Sequence, residues 1–197
     1  MNSNIEAQID RFKIGFPFIN LDRPAVIGDG ILSFSESEIE SLISFYDRIN
    51  KDFKIKGLLE FQTNVYGDDR GQFIETFNED VLRSLGFNEH FKQDNQSISQ
   101  RGVFRGIHLQ SEPHGQGKLV RVAKGSVIDY AVDLRLGSPT YGEWESVKLT
   151  AEQGNQFWIP NGFGHAFLAL EEDTIFCYKC TDVYAPDHQV SIMWDDT

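Results

Sequence analysis

Residues 154–167 read GNQFWIPNGFGHAF. Five residues separate Gly154 from Pro160, one separates Pro160 from Gly162, and two more lead to His165. Pro160 and Gly162 make a tight turn between two strand-like runs, NQFWIP and HAFLALE, so that His165 points back inside. The same grain continues in both directions from Leu58 onward. LEFQTNVY, QDNQSISQ, GVFRGIHLQ, KLVRVAKGSVIDYAVDLR, GEWESVKLT, DTIFCYKCTDVY and VSIMW are short, rich in Val, Ile, Phe and Tyr, and broken by Gly, Asn, Asp and Pro. That spacing predicts an all-β sandwich or barrel. One short helix is expected over NEDVLRSLG, stopped by Gly86.

Residues 1–54 have a different character and are read as a partly helical N-terminal extension, with the β domain taking 55–197. FPFINLDRPAVIGDGIL is irregular, whereas SFSESEIESLISFYDRINKD reads as a helix with Ile39, Leu42, Ile43 and Tyr46 in one apolar stripe. The chain has 197 residues, 40% hydrophobic and 13% aromatic, enough to build a core. Its net charge of −12 leaves no basic footprint for nucleic acid and disfavours a membrane surface. No apolar run approaches the roughly 20 residues that span a bilayer, and MNSNIEAQIDRFKIG lacks the order of a signal peptide. A cytoplasmic protein is expected.

The two cysteines, Cys177 and Cys180, stand in a strand-like string where side chains three apart face opposite ways, which speaks against a redox or zinc pair. The chemistry is richer in RGVFRGIHLQSEPHGQGKLVRV, residues 101–122. On a strand Phe104, Gly106, His108 and Gln110 share one face. Lys118 opens the next strand, and Tyr178, Asp182 and Tyr184 share a phase on a later one. A histidine, a lysine and a tyrosine in one cavity supply a base, an oxyanion stabiliser and a proton donor, the three parts that proton abstraction beside a carbonyl needs.

The Gly–Pro–Gly–His spacing resembles the second sequence motif of the cupin superfamily, with Ala169 where that motif closes on Asn. A metal-binding cupin carries His-x-His near its first motif; here the string is His108-Leu109-Gln110. Two histidines and an amide make a poor site for a divalent metal, though Glu112 or His114 would supply a third ligand. No metal is therefore expected. From about Gly57 to Asp196 the chain looks like the dTDP-4-dehydrorhamnose 3,5-epimerase family. DDRGQFIETFNED, QDNQSIS, VFRGIHLQ, QGKLVRVAKG, DYAVDLR, SPTYGEW, FWIPNGFGHAFLAL and YKCTDVYAP carry the resemblance, in the family's order.

That resemblance implies a cupin-like jelly roll, usually a homodimer, acting on a nucleotide-linked 4-keto-6-deoxyhexose without metal or redox cofactor. His108 would take a proton from C3 or C5, Lys118 would hold the charge developing at O4, and Tyr178 would return a proton. Arg70, Phe73, Glu75, Gln93, Asn95, Arg105, His165 and Tyr184 fall where the family contacts nucleotide and sugar. Arg70 and Arg105 suit a pyrophosphate. Arg105 and His108 are odd-spaced, so a bulge or strong twist is expected at Gly106. The family continues past the position of Trp194 and there carries an Asp that pairs with the catalytic His; this sequence ends in WDDT. Asp129 is the candidate substitute. The runner-up reading is a catalytically weak module that holds a sugar nucleotide or scaffolds another enzyme, and a third is a metal-dependent cupin.

Overall fold

The computed structural model describes residues 53–193 apart from Leu85. The helix expected within SFSESEIESLISFYDRINKD lies outside them. Phe53 and Lys54, the last residues of the expected extension, pack with the β domain. The Phe53 ring lies 5.3 Å from that of Phe157, and the Lys54 N–H donates to Glu145 Oε1 at 3.0 Å.

The described residues hold twelve strands: β1 (Leu59–Phe61), β2 (Val65–Asp68), β3 (Gly71–Ile74), β4 (Gln93–Ser99), β5 (Phe104–Gln110), β6 (Lys118–Lys124), β7 (Ser126–Asp133), β8 (Trp144–Thr150), β9 (Gln156–Ile159), β10 (Phe163–Ala169), β11 (Thr174–Cys180) and β12 (Gln189–Ser191). Ten of them build two five-stranded sheets, ordered β1-β9-β6-β11-β4 and β12-β5-β10-β7-β8, while β2 and β3 form a separate hairpin. Every pairing is antiparallel.

Period-two patterning closes the two sheets on each other. On β7, buried Val127, Asp129, Ala131 and Asp133 alternate with less buried Ile128, Tyr130 and Val132. Val120 and Val122 of β6, Phe157 of β9 and Phe176 of β11 meet Val127 and Leu149, Phe163 and Phe167 of the other sheet in one apolar cluster. Fully burying a phenylalanine such as Phe176 contributes about 2–3 kcal/mol. The turn after β7 is locked by Asp133, which accepts bonds from Arg135 Nε (2.8 Å), Ser138 Oγ (2.6 Å) and Thr140 Oγ1 (2.6 Å). The Arg135 guanidinium, first among these partners, holds the Asp133 carboxyl far below the usual carboxylate range.

Residues 77–88 belong to a compact unit distinct from the one that holds the strands. Its helix α1 (Glu79–Ser84) starts where Asn78 Oδ1 accepts the Val81 N–H at 3.2 Å, with acidic Glu79 and Asp80 in the first turn and Arg83 in the last. It ends as NEDVLRSLG predicts, at Gly86 with φ +82°. There the Gly86 and Phe87 N–H groups return to the carbonyls of Arg83 and Leu82.

Candidate active site

The site is built around a bulge. Across β5 and β10, His165 lies opposite His108 while Phe167 lies opposite Arg105, so two steps on β10 match three on β5. The extra residue turns both Arg105 and His108 inward, despite their odd spacing. Gly106 takes the position with φ +136°, and a Cβ there would fall 2.3 Å from the Cβ of Ala166. Only glycine fits. Phe104, expected on the face of His108, borders the cavity but turns its ring toward Tyr130, 6.4 Å away; the bulge is the reason.

A cavity of about 410 Å³ opens between the sheets. One sheet contributes Ser97, Lys118, Phe176 and Tyr178; the other contributes Arg105, His108, His165 and Phe167. Tyr178 pairs with Val120 and Cys180 with Lys118, so the lysine and tyrosine sit on adjacent inward rungs of neighbouring strands. Phe167 and Phe176 stack at 4.1 Å as an apolar floor, and the His165 ring lies over Phe176 at 5.9 Å.

Electrostatics set the protonation states. Burial first, then the charges of Lys118 and His165, pushes His108 below its ordinary value. Burial lowers Lys118, against opposing pulls from Cys180 and Asp129. Burial also raises Tyr178 and so keeps its phenol protonated. Asp129 is fully enclosed; burial pushes its carboxyl up, and His165 pulls it back.

Asp129 is placed differently from expectation. Its Oδ2 lies 2.9 Å from His165 Nε2, so the buried carboxylate supports His165 and not His108. The cause is sheet order: β7 neighbours β10, not β5. The His108 ring has no hydrogen-bond partner among the described residues. Gln110, at the position of a cupin metal ligand, spends its amide on backbone groups: Nε2 donates to His114 O at 2.7 Å and Oε1 accepts from Ala185 N at 2.8 Å.

Arg105 is held by β4, where its Nε donates to Ser99 Oγ at 3.0 Å. Two residues earlier on that face, Ser97 Oγ is buried without a hydrogen-bond partner among the described residues. Neither serine was singled out from sequence, although both share the phase of Gln93 and Asn95 in QDNQSIS, which is the signal that finds them. Phe167 and Phe176 were missed too, because apolar strand residues read as plain core. Gln93 and Asn95 lie outside the cavity lining. Gln93 Nε2 donates to Asn95 Oδ1 at 2.9 Å, and its Oε1 accepts from Tyr184 N at 2.7 Å. Arg70, Phe73 and Glu75 also stay outside it, on or just after the β2–β3 hairpin. All three are exposed, with Arg70 paired to Asp68.

Residues 52–197 match a family model described as dTDP-4-dehydrorhamnose 3,5-epimerase, and residues 1–60 match one described as a domain of unknown function. A dTDP-4-dehydrorhamnose 3,5-epimerase of Methanothermobacter thermautotrophicus is 50% identical over 142 residues, 72% of this chain and 76% of that protein. The crystal structure of dTDP-6-deoxy-D-glucose-3,5-epimerase from Legionella pneumophila, in complex with dTDP-4-keto-L-rhamnose, superposes with a TM-score of 0.70 at 48% identity, covering 73% of this chain and 77% of that one. A 3'-monoepimerase from Streptomyces bikiniensis in complex with dTDP-quinovose gives a TM-score of 0.67 at 35% identity, with 71% of each chain covered.

Proposed function

This chain belongs to the dTDP-4-dehydrorhamnose 3,5-epimerase family, and from that premise we propose how its barrel acts on a nucleotide-linked 4-keto-6-deoxyhexose. It is a sugar-nucleotide epimerase of deoxysugar biosynthesis, inverting C3, C5 or both. The observation that carries the reading is convergence from opposite walls. His108 enters the cavity from one sheet, and Lys118 and Tyr178 enter from the other.

The 4-keto group acidifies the protons on C3 and C5 by allowing an enolate. His108, neutral because its pKa is lowered, takes the proton from one ring face. Lys118 neutralises the charge that develops at O4. Tyr178, protonated and on the facing wall, delivers its phenolic proton to the other face, and the centre inverts. Solvent then removes the proton from His108 and restores that of Tyr178. No electron changes hands, so the steps call for no redox cofactor, and Lys118 fills at O4 the place a Lewis-acid metal would take. His165, fixed by Asp129, borders the same space, and Arg105 with Ser97 offers donors for the diphosphate. Gln93, Asn95 and Tyr184 lie beyond, on the side where the nucleotide, dTDP in this reading, would extend.

The working unit is a homodimer. The outer face of the second sheet supports this, since Phe104 and Trp144 are 40% and 61% exposed and their rings flank Tyr130. In a dimer the hairpin carrying Arg70 and Phe73, with Glu75 just beyond it, is free to complete a second copy's site. We assign the enzyme to the cytoplasm on its free thiols, Cys177 and Cys180, which suit a reducing compartment. Among the described residues no helix is long and apolar enough to cross a membrane.

The test is deuterium exchange. Incubated in heavy water with dTDP-4-keto-6-deoxyglucose, the protein should erase the proton NMR signal of H3, H5 or both, and His108→Ala should not. That the His108 ring has no hydrogen-bond partner among the described residues favours a second reading, a barrel that binds the sugar nucleotide with weak catalysis. Binding without exchange in the native protein would establish that one instead.

A further inference from the structure

Residues 181–185 follow β11 and pair with no strand among the described residues, yet each has a backbone or side-chain polar group held. The Thr181 N–H donates to Gly117 O at 3.0 Å, and Thr181 Oγ1 accepts from Gly117 N at 2.9 Å. Gln116 Nε2 donates to Asp182 O at 2.7 Å. Gln110 Nε2 donates to Val183 O at 3.3 Å, Gln93 Oε1 accepts from Tyr184 N at 2.7 Å, and Gln110 Oε1 accepts from Ala185 N at 2.8 Å. Water ordinarily satisfies such groups in a surface segment and leaves it mobile. Here Gln93 on one sheet, Gln110 on the other, and Gln116 and Gly117 in the loop between β5 and β6 do so instead. Gln110 is the deepest of the glutamines, at 5% exposure, and it also ties down His114 O.

The strap holds an exposed aromatic still. Tyr184 is 53% exposed, and its hydroxyl donates to Gln189 Oε1 at 2.7 Å. A rigid exposed ring is a stacking surface that loses little entropy when covered. Its location is specific: Gln93, Asn95 and Ser97 line one face of β4, with Ser97 in the cavity and Gln93 under Tyr184. Four residues of strand span about 13 Å. That distance suits the step from the reacting sugar to a base across a diphosphate.

We infer that Gln110 is a positioning residue which, through residues 183–185, presents Tyr184 to the nucleotide base. The position of a cupin metal ligand serves here as the anchor of a strap. This rests on the reading of the cavity as a nucleotide-sugar site.

Titration calorimetry with dTDP on the full chain tests it. Tyr184→Ala should weaken binding on the order of tenfold. Gln110→Ala should weaken it similarly, and the double variant should bind no worse than either single one. With the nucleotide-sugar substrate, the Gln110→Ala loss should fall on KM far more than on kcat. If melting shows Gln110→Ala unfolded, Gln116→Ala, which removes one strap bond, should still weaken dTDP binding in the same coupled way. Additive losses, or strap variants that bind dTDP as tightly as the native chain, would overturn the inference alone. A native chain that binds no dTDP would overturn the nucleotide-sugar reading together with it.

Discussion

At the scale of single residues, the environment of His108 favours the neutral imidazole that the proposed role of base requires. Burial disfavours its charged form, and the nearby charges of Lys118 and His165 add to that. Its folded pKa should therefore lie below the ordinary value of about 6.5, as an NMR titration of the histidine rings would show. The unfolded chain binds this proton more readily than the folded one, so stability declines as pH falls below about 6.5 and the folded state resists protonation. The acid limb of kcat/KM should lie in the same range, with activity rising as His108 loses its proton. Lys118→Met removes one of the opposing charges and should move the titration upward. An unchanged or lowered pKa in that variant would show that Lys118 does not face His108. The convergence of His108, Lys118 and Tyr178 on one cavity was legible in the sequence because they stood at inward phases of separate strands. The partner of Asp129 was not, since it depends on which strand lies beside β7, and sheet order leaves no mark on a single strand. The Ser97 hydroxyl, buried without a partner among the described residues, was equally invisible, because only its packed neighbours decide that.

At the scale of elements, one glycine decides whether β5 works. Arg105 and His108 both face the cavity because the strand bulges at Gly106, and the close approach to Ala166 and the φ of +136° both exclude a side chain. Gly106→Ala should cost about 2 kcal/mol or more, from strained backbone and overpacking together, lowering Tm by several degrees. It should also cut kcat/KM far beyond what the lost stability explains, because a regular register sends Arg105 and His108 to opposite faces. Adding Ala166→Gly should recover part of the stability, by relieving the 2.3 Å contact, while the φ penalty stays. A Gly106→Ala protein with native Tm and native turnover would remove the bulge from the argument. The strands, the helix of NEDVLRSLG and this bulge were all legible, since each follows from local period and spacing. The pairing of β1 with β9 and of β12 with β5 was not, because those contacts join segments far apart in the chain.

At the scale of the whole molecule, the outer face of the second sheet is the feature a lone barrel leaves unexplained. Antiparallel sheets commonly turn a polar face to water. Here Ile128, Tyr130 and Val132 of β7 point outward, with the rings of Phe104 and Trp144 on either side of Tyr130. A two-fold interface matches such a patch to its own copy. Light scattering should give about 45 kDa, twice the 22.5 kDa chain. Trp144→Lys with Tyr130→Glu should give the single chain, still folded. That monomer should lose activity although His108, Lys118 and Tyr178 are untouched, because the hairpin of Arg70 and Phe73 does not line its own chain's cavity. Mixing two dead variants makes the point sharply. His108→Ala keeps a good hairpin, and Arg70→Ala keeps a good barrel, so a hybrid dimer holds one site with both parts intact. Random exchange makes about half of the dimers hybrids with one working site each, so about a quarter of native activity should return under the two-fold arrangement. Hybrids that form but stay inactive would mean that each hairpin serves only its own chain, and the dimer would then be a matter of stability rather than of the site.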